Sequence, residues 1–336
     1  MVHKVESADQ FLTDLADRVE SLTELGQPHP LTVGIAVATL KRLLADPTNR
    51  IRLHDFVMDE AERTHAAIGD EHFPPDDQAF NNATWREFIR DRVNRYEAAT
   101  DVVVHLMAAG CAWSENQEQD RLWGRVLERI ASHDRMRGGK SALLDLRRYP
   151  GLRVMYAGGV AAVHNENYGP VRSITTDQTF HELNNEVPMV AGLHLWKVFD
   201  GDTGQALHSE DSRRLLPVSD HLYDSVREAL RQIIPSDGQY SAAFDRFEFL
   251  LGMVLTDLKT HSEPDIYIPS PFIGSYAWRH QNDMRRSPRY LLTADLEGTN
   301  SWPPVSGGMF GGAIDRAREA FEGMSQHYDK ARPNFY

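Results

Sequence analysis

The 336-residue chain reads as all-α: a multi-helix bundle or an irregular helical-repeat array, ending in a Pro/Gly-rich, partly irregular segment. Three observations lead there. Apolar residues recur at gaps of three and four, the period of a helix with one buried face. No stretch of comparable length alternates apolar and polar residues, as a half-exposed strand would. Prolines and glycines separate the periodic stretches and become frequent after Glu263, at Pro264, Pro269, Pro271, Pro288, Pro303, Pro304 and from Gly307 to Gly312. Strands are therefore expected in under a tenth of the chain, mainly after Glu263, near Ile266–Ile268 and Tyr290–Thr293.

The elements follow in order. Ser7 and Gln10 form a capping box for a first helix with Phe11, Leu12, Leu15, Val19 and Leu22 on its apolar face. Leu31–Ala45 is apolar nearly all round and is expected to be a buried helix. A third helix carries Ile51, Phe56, Val57 and Ile68, and Gly69–Asn82, with Pro74, Pro75 and several acids, reads as an exposed loop. Thr84 and Glu87 have the form of a capping box before a long helix bearing Trp85, Phe88, Ile89, Val93, Tyr96, Val103, Leu106 and Met107. Helices are expected near Gln119–His133, after Ser141, and from Pro150 to about Asn165. The small residues Ala157, Gly158, Gly159, Ala161 and Ala162 smooth one flank of the last, so a neighbour can approach closely. Ser219 is a candidate cap for a helix with Leu222, Val226, Ala229, Leu230 and Ile233. The next has a stripe of Tyr240, Phe244, Phe247, Leu251, Val254 and Leu258, with Phe249 and Met253 opposite, which predicts a middle-layer helix. A last helix is expected from Ala313 to Gln326. The organisation is 1–68 for N-terminal helices, 84–260 for a central core and 261–336 for the irregular segment with its terminal helix.

Composition excludes several functions. With 41% hydrophobic and 25% charged residues the chain is globular and not disordered. Its longest apolar runs, such as Leu250–Leu255, fall far short of the roughly 18 residues of a membrane span. There is no basic-then-apolar leader pattern, and Cys111 is the single cysteine, which rules out an internal disulfide framework and a multi-Cys zinc site. A cytoplasmic location is expected. The net charge of −13 opposes a global electrostatic grip on nucleic acid but leaves room for a local basic patch.

The chemical motifs are sparse. Gly139-Lys140-Ser141 resembles the end of a phosphate-binding loop, but Asp134 stands where the motif needs glycine, and no strand precedes it. Arg214 and His221 have the Arg-to-His spacing of the ribonuclease motif of HEPN domains, with Pro217 and Ser219 between them. His181, Glu182 and His194 lack the spacing of a metalloprotease site. His164, Asn165, Glu166 and Asn167 form a polar helix end that serves a ligand or simply caps. Arg147 and Arg148 suit the last turn of a helix. Arg285, Arg286 and Arg289 lie beside Tyr276, Trp278 and Tyr290, and arginine with aromatic rings can hold a nucleotide or single strand by stacking.

Three segments, Leu144–Ile174, Leu216–Leu230 and Phe244–Leu258, resemble the C-terminal helical region of bacterial multidomain defence proteins, found downstream of sirtuin-like, Toll/interleukin-receptor-like or P-loop NTPase domains. The resemblance covers about 200 of the 336 residues and brings no catalytic residue with it. It implies a sensing or oligomerising role. The stretch ahead of the resemblance is read as holding no effector domain, so either an effector comes from another chain or the protein is a stand-alone module.

The reading is a non-enzymatic helical sensor or interaction module, in antiphage defence, with no cofactor and no metal. Its partners are expected to be a protein or a second copy, with an anionic ligand or nucleic acid at Arg285, Arg286, Arg289, Trp278, Tyr276 and Tyr290, and no membrane. The alternatives are an Arg214/His221 ribonuclease and a nucleotide or nucleic-acid binder.

Overall fold

The computed structural model describes residues 32–132, 138–182, 185–199, 201–207, 216–262, 274–279, 284–297 and 301–331. The all-α expectation holds. The first helices are α1 Val33–Leu44, α2 Arg50–Ala67, α3 Trp85–Ala112 and α4 Gln117–Ala131. They are followed by α5 Ser141–Leu146, α6 Tyr149–His164 and α7 Tyr168–Thr175. After a hairpin come the single turns α8 Met189–Gly192 and α9 Leu195–Val198, then the longer α10 Pro217–Leu230 and α11 Asp237–His261. The chain closes with α12 Tyr276–Arg279, α13 Pro288–Glu297, α14 Pro303–Ser306 and α15 Ile314–Ala331.

Two helices form the centre. Every residue of α6 from Tyr149 to Val163 is buried. Apolar all round except for the buried, hydrogen-bonded Arg153, it packs along α3 on one side and α11 on the other. In α11 the stripe Tyr240, Phe244, Phe247, Leu251, Val254 and Leu258 is buried, and so are Phe249 and Met253 on the opposite side. That places α11 in a middle layer, between α6 and α15. The Tyr156 ring meets Phe247 edge-on at 5.3 Å, and Phe249 lies 5.6 Å from Tyr276, so aromatic contacts join the layers. Buried apolar residues run as one cluster from Ala36 to Tyr328.

Several local expectations need correction. Among the described residues the strands lie earlier: β1 Thr179–Glu182 pairs antiparallel with β2 Asn185–Pro188, and Tyr290–Thr293 is part of α13. A strand at 290–293 gives way because Leu292 and Leu296 fall on one helical face and are buried together. Helix α1 buries only Ala36, Leu40 and Leu43, a single stripe, because α2 and α3 cover just one side of it. Ile51 is exposed. Thr84 makes no capping bond to α3. Ser219 is not a cap either: Leu216 precedes the helix, Pro217 opens it, and Ser219 is buried in the first turn. The first expected helix and the strand at 266–268 fall outside the described residues.

The acidic loop at 69–82 is bound to the core through its carbonyls. Arg92 donates to Phe73 O and Pro74 O, Arg95 to His72 O, and Lys140 Nζ to Asp77 O and Phe80 O at 2.6 Å each. Buried Arg147 pairs with Asp70 at 2.8 Å. Lys140 and Arg147 are thus structural residues, and the loop-like Gly139-Lys140-Ser141 triplet holds backbone and not phosphate.

Candidate functional site

A cleft of about 310 Å³ opens between the C-terminal end of α6, the first half of α11 and the N-terminal end of α13. That is small-molecule size. Val163, Ala242, Ala243, Pro288, Leu291 and Leu292 supply apolar lining, and His164, Glu166, Gln239, Asp245, Arg246 and Arg286 the polar groups.

The polar end of α6 divides its work. Asn165 Nδ2 donates to Ala112 O, and Asn167 Nδ2 donates to Cys111 O and Ser114 O, so these two cap the C-terminus of α3. His164 and Glu166 face the cleft instead. The backbone turns there by a Schellman pattern: Glu166 N–H donates to Val163 O at 3.2 Å and Asn167 N–H to Ala162 O at 2.9 Å. Glu166 takes the left-handed position of that motif, φ 54°. Glycine is the usual occupant.

The opposite wall comes from the basic cluster. Arg286 ends a 3₁₀ turn, Met284–Arg286, that leads into α13. Tyr290 N–H donates to Ser287 Oγ at 3.3 Å, closing the first turn of the helix. Arg246 reaches Asp295 at 2.9 Å. Asp245, almost fully buried, is met by Arg279 at 2.9 Å with an angle outside that of a hydrogen bond.

The structure separates the residues that sequence grouped. Arg285, Arg286 and Tyr290 are exposed. Arg289 is held by Asp329 in a fork, at 2.6 and 3.1 Å, with its guanidinium 5.7 Å from the Tyr328 ring centroid. Tyr276 is buried and stacks on Tyr328, 6.3 Å between centroids, so its faces are taken up by protein. Trp278 belongs to α12, and Arg214 lies outside the described residues. His221 is on α10, half-buried, its Nε2 2.8 Å from Glu97 Oε1. Tyr149 donates to the same oxygen at 2.5 Å. Burial would raise the Glu97 carboxyl, but His221 and Tyr149 as donors and the nearby Arg153 outweigh it and hold the group below the ordinary range.

A second polar cluster, invisible to local sequence reading, sits one turn along α11. Glu248 is fully buried, and Ser219 donates to its Oε1 at 2.6 Å and Tyr156 at 3.3 Å. The Ser219 hydroxyl in turn accepts from Ser275 N–H and Oγ at 3.0 and 2.9 Å. Gly274 passes so close to Glu248 Oε2 that a Cβ there would overlap it. Burial pushes the Glu248 carboxyl up to about 8 against the opposing pull of Arg279 and Ser219, so it is mostly protonated at neutral pH. This cluster docks 274–276 onto the core.

His181 pairs with Glu186 across the hairpin at 3.3 Å. His194 is buried and neutral, its pKa lowered to about 3 by burial and then by Lys197 and Arg148. Among the described residues no three His, Cys, Asp or Glu side chains are placed to hold a metal ion, and no helix is long and apolar enough to cross a membrane.

The chain matches no family model, no curated protein and no solved structure.

Proposed function

We propose that the chain is a helical sensor or interaction module that takes an anion-bearing ligand at the α6–α11–α13 cleft. One observation carries the reading: two sequence features more than a hundred residues apart, the polar end of α6 and Arg286 of the basic cluster, line one concavity of ligand size. Arginine beside an apolar floor suits a phosphate or carboxylate on a carbon skeleton. Leu291, which lines the cleft, and its exposed neighbour Tyr290 offer a partner protein, or a second copy, a surface that a bound ligand adjoins. Resemblance to helical regions of bacterial defence proteins adds a context, in which such a module reports a ligand to an effector on another chain. A ribonuclease centred on His221 has less support, because the His221 Nε2 already engages Glu97.

The test is a melt of wild type and Arg285→Ala/Arg286→Ala with inorganic phosphate, nucleotides and short RNA. A ligand at 100 times its Kd that binds only the folded chain adds about 2.7 kcal/mol. The reading expects a shift in wild type that the double variant loses. An equal shift in both, or none with any anion, rejects it.

A further inference from the structure

Residues 274–279 form a short strap over α11, and a buried carboxyl lies beneath it. Arg279 meets Asp245 at 2.9 Å, Gly274 rests against Glu248, and the Tyr276 ring lies 5.6 Å from that of Phe249. The strap also holds α10, where Ser275 N–H and Oγ donate to Ser219 Oγ. Arg279 lies over the Tyr223 ring of the same helix, 4.5 Å from its centroid.

Glu248 is enclosed by three elements besides its own helix. Ser219 from α10 and Tyr156 from α6 donate to its Oε1. Oε2 has no hydrogen-bond partner among the described residues and faces Gly274, so the strap is one of the walls that keep water off it. Two carboxyls, Asp245 and Glu248, face the Arg279 guanidinium, and Asp245 holds it. Glu248 is left with hydroxyls and a glycine backbone, contacts that suit a neutral acid better than a charge. The facing phenols of Tyr156 and Tyr276 stay protonated, because burial raises both well above their ordinary value. The closed strap also leaves Nε and Nη2 of Arg279 without hydrogen bonds. Buried polar atoms of this kind favour water, which opening gives them.

We propose that residues 274–279 are a proton-controlled strap, closed while Glu248 is a neutral acid and released when water reaches Glu248 and takes its proton. The release is local. Helices α6, α10 and α11 stay folded while Ser275 leaves Ser219, Arg279 leaves Asp245, and Tyr276 leaves Phe249 and Tyr328. It uncovers one side of the buried Phe249 ring, apolar surface that the closed strap hides. The closed strap pushes the Glu248 carboxyl up to about 8, and an open one returns it toward the ordinary 4.5. Closure is thus fully favoured below the ordinary value and is lost progressively as pH rises to the closed-state value.

The experiment is amide hydrogen exchange of the full chain, resolved by NMR, from about pH 5.5 to about pH 7.5, with each rate divided by that of the unstructured amide at the same pH. The amides of Ser275 and Arg279 should exchange at least about a hundredfold faster than that of Val160 in α6, which marks opening without global unfolding. Their opening constants should rise roughly tenfold per pH unit, one proton released per opening. In Glu248→Gln the strap amides should still open locally, with no such rise. Strap amides that exchange only as fast as Val160 overturn the local release. A pH-independent opening in wild type overturns proton control, and neither wild-type reading needs the variant to fold. A rise that persists in Glu248→Gln overturns Glu248 as the controlling group.

Discussion

The ring of Phe247 on α11 fills the space in which a side chain on Gly159 of α6 would begin. The two central helices are therefore as close as a bare backbone permits. Both residues are buried, Phe247 completely. Gly159→Ala should destabilise the fold by about 1–3 kcal/mol or more, by overpacking. Phe247→Ala should cost about 3–5 kcal/mol through the cavity it leaves. In the double variant the added methyl enters that cavity, so the two losses should not add. Chemical denaturation of all four proteins measures the coupling; simple additivity would mean the helices do not meet here.

That contact was half legible in sequence. The small-residue flank of α6 announced a close neighbour, and the stripe on α11 announced a central helix, because both are local patterns at helical spacing. Their pairing was not, since it depends on tertiary packing. The buried polar cluster was hidden for the same reason. Ser219 reads as a cap because its neighbours are helical, yet its hydroxyl serves Glu248, 29 residues away. The hairpin leaves no signal in the sequence because its strands, TFHE and NEVP, are four residues each and too short to show alternation. At the cleft, the basic cluster and the polar helix end were both visible, but as separate features. Nothing local told that Arg289 would turn to Asp329 and Arg286 to the cleft.

Glu248 gives the fold a pH slope. Its folded pKa, about 8, is above the ordinary 4.5. The folded state thus keeps a proton that the unfolded state releases, and stability falls as pH rises between those values. Above pH 8 both states are ionised and this contribution levels off. Glu248→Gln stays neutral throughout. The variant should gain on wild type from pH 5 to pH 8, and the gap should then hold constant. Melts across that range check it, and a gap that does not change with pH would show that Glu248 is ionised in the native protein.

His221 should matter to stability more than to ligand binding. Removing it takes a donor from Glu97, and bonds to charged groups are worth about 1.5–3 kcal/mol. The Glu97 carboxyl is lowered in the fold, so the stability it brings is present above its ordinary value and is lost as pH falls through the folded one. His221→Ala moves the folded value back up. The gap between wild type and variant should be full near neutrality and should narrow as pH falls through the lowered folded value of Glu97, below which the carboxyl is protonated in both. Phosphate-dependent stabilisation should survive in the variant. Its loss in a well-folded His221→Ala protein would revive the ribonuclease reading.

Arg289 and the Arg285–Arg286 pair should separate cleanly although they are neighbours in sequence. Arg289 grips Asp329 with two bonds and lies over Tyr328, so it ties the start of α13 to the last turns of α15. Its side chain is 31% exposed and that of Asp329 55%, which limits the pair to about 0.2–1 kcal/mol. The ring contact adds about 0.5–1 kcal/mol. Arg289→Ala should therefore lose roughly 1 kcal/mol of stability and leave ligand affinity within about twofold. Arg285→Ala/Arg286→Ala should do the reverse, because Arg285 and Arg286 are exposed and Arg286 lines the cleft. Its effect on binding should also shrink with salt, since exposed charges are screened over about 8–10 Å near physiological ionic strength. Measuring melting temperature and affinity on the same samples, at two salt concentrations, tells the roles apart. If Arg289→Ala abolishes binding while the double variant binds normally, the ligand sits at the α13–α15 junction and not in the cleft.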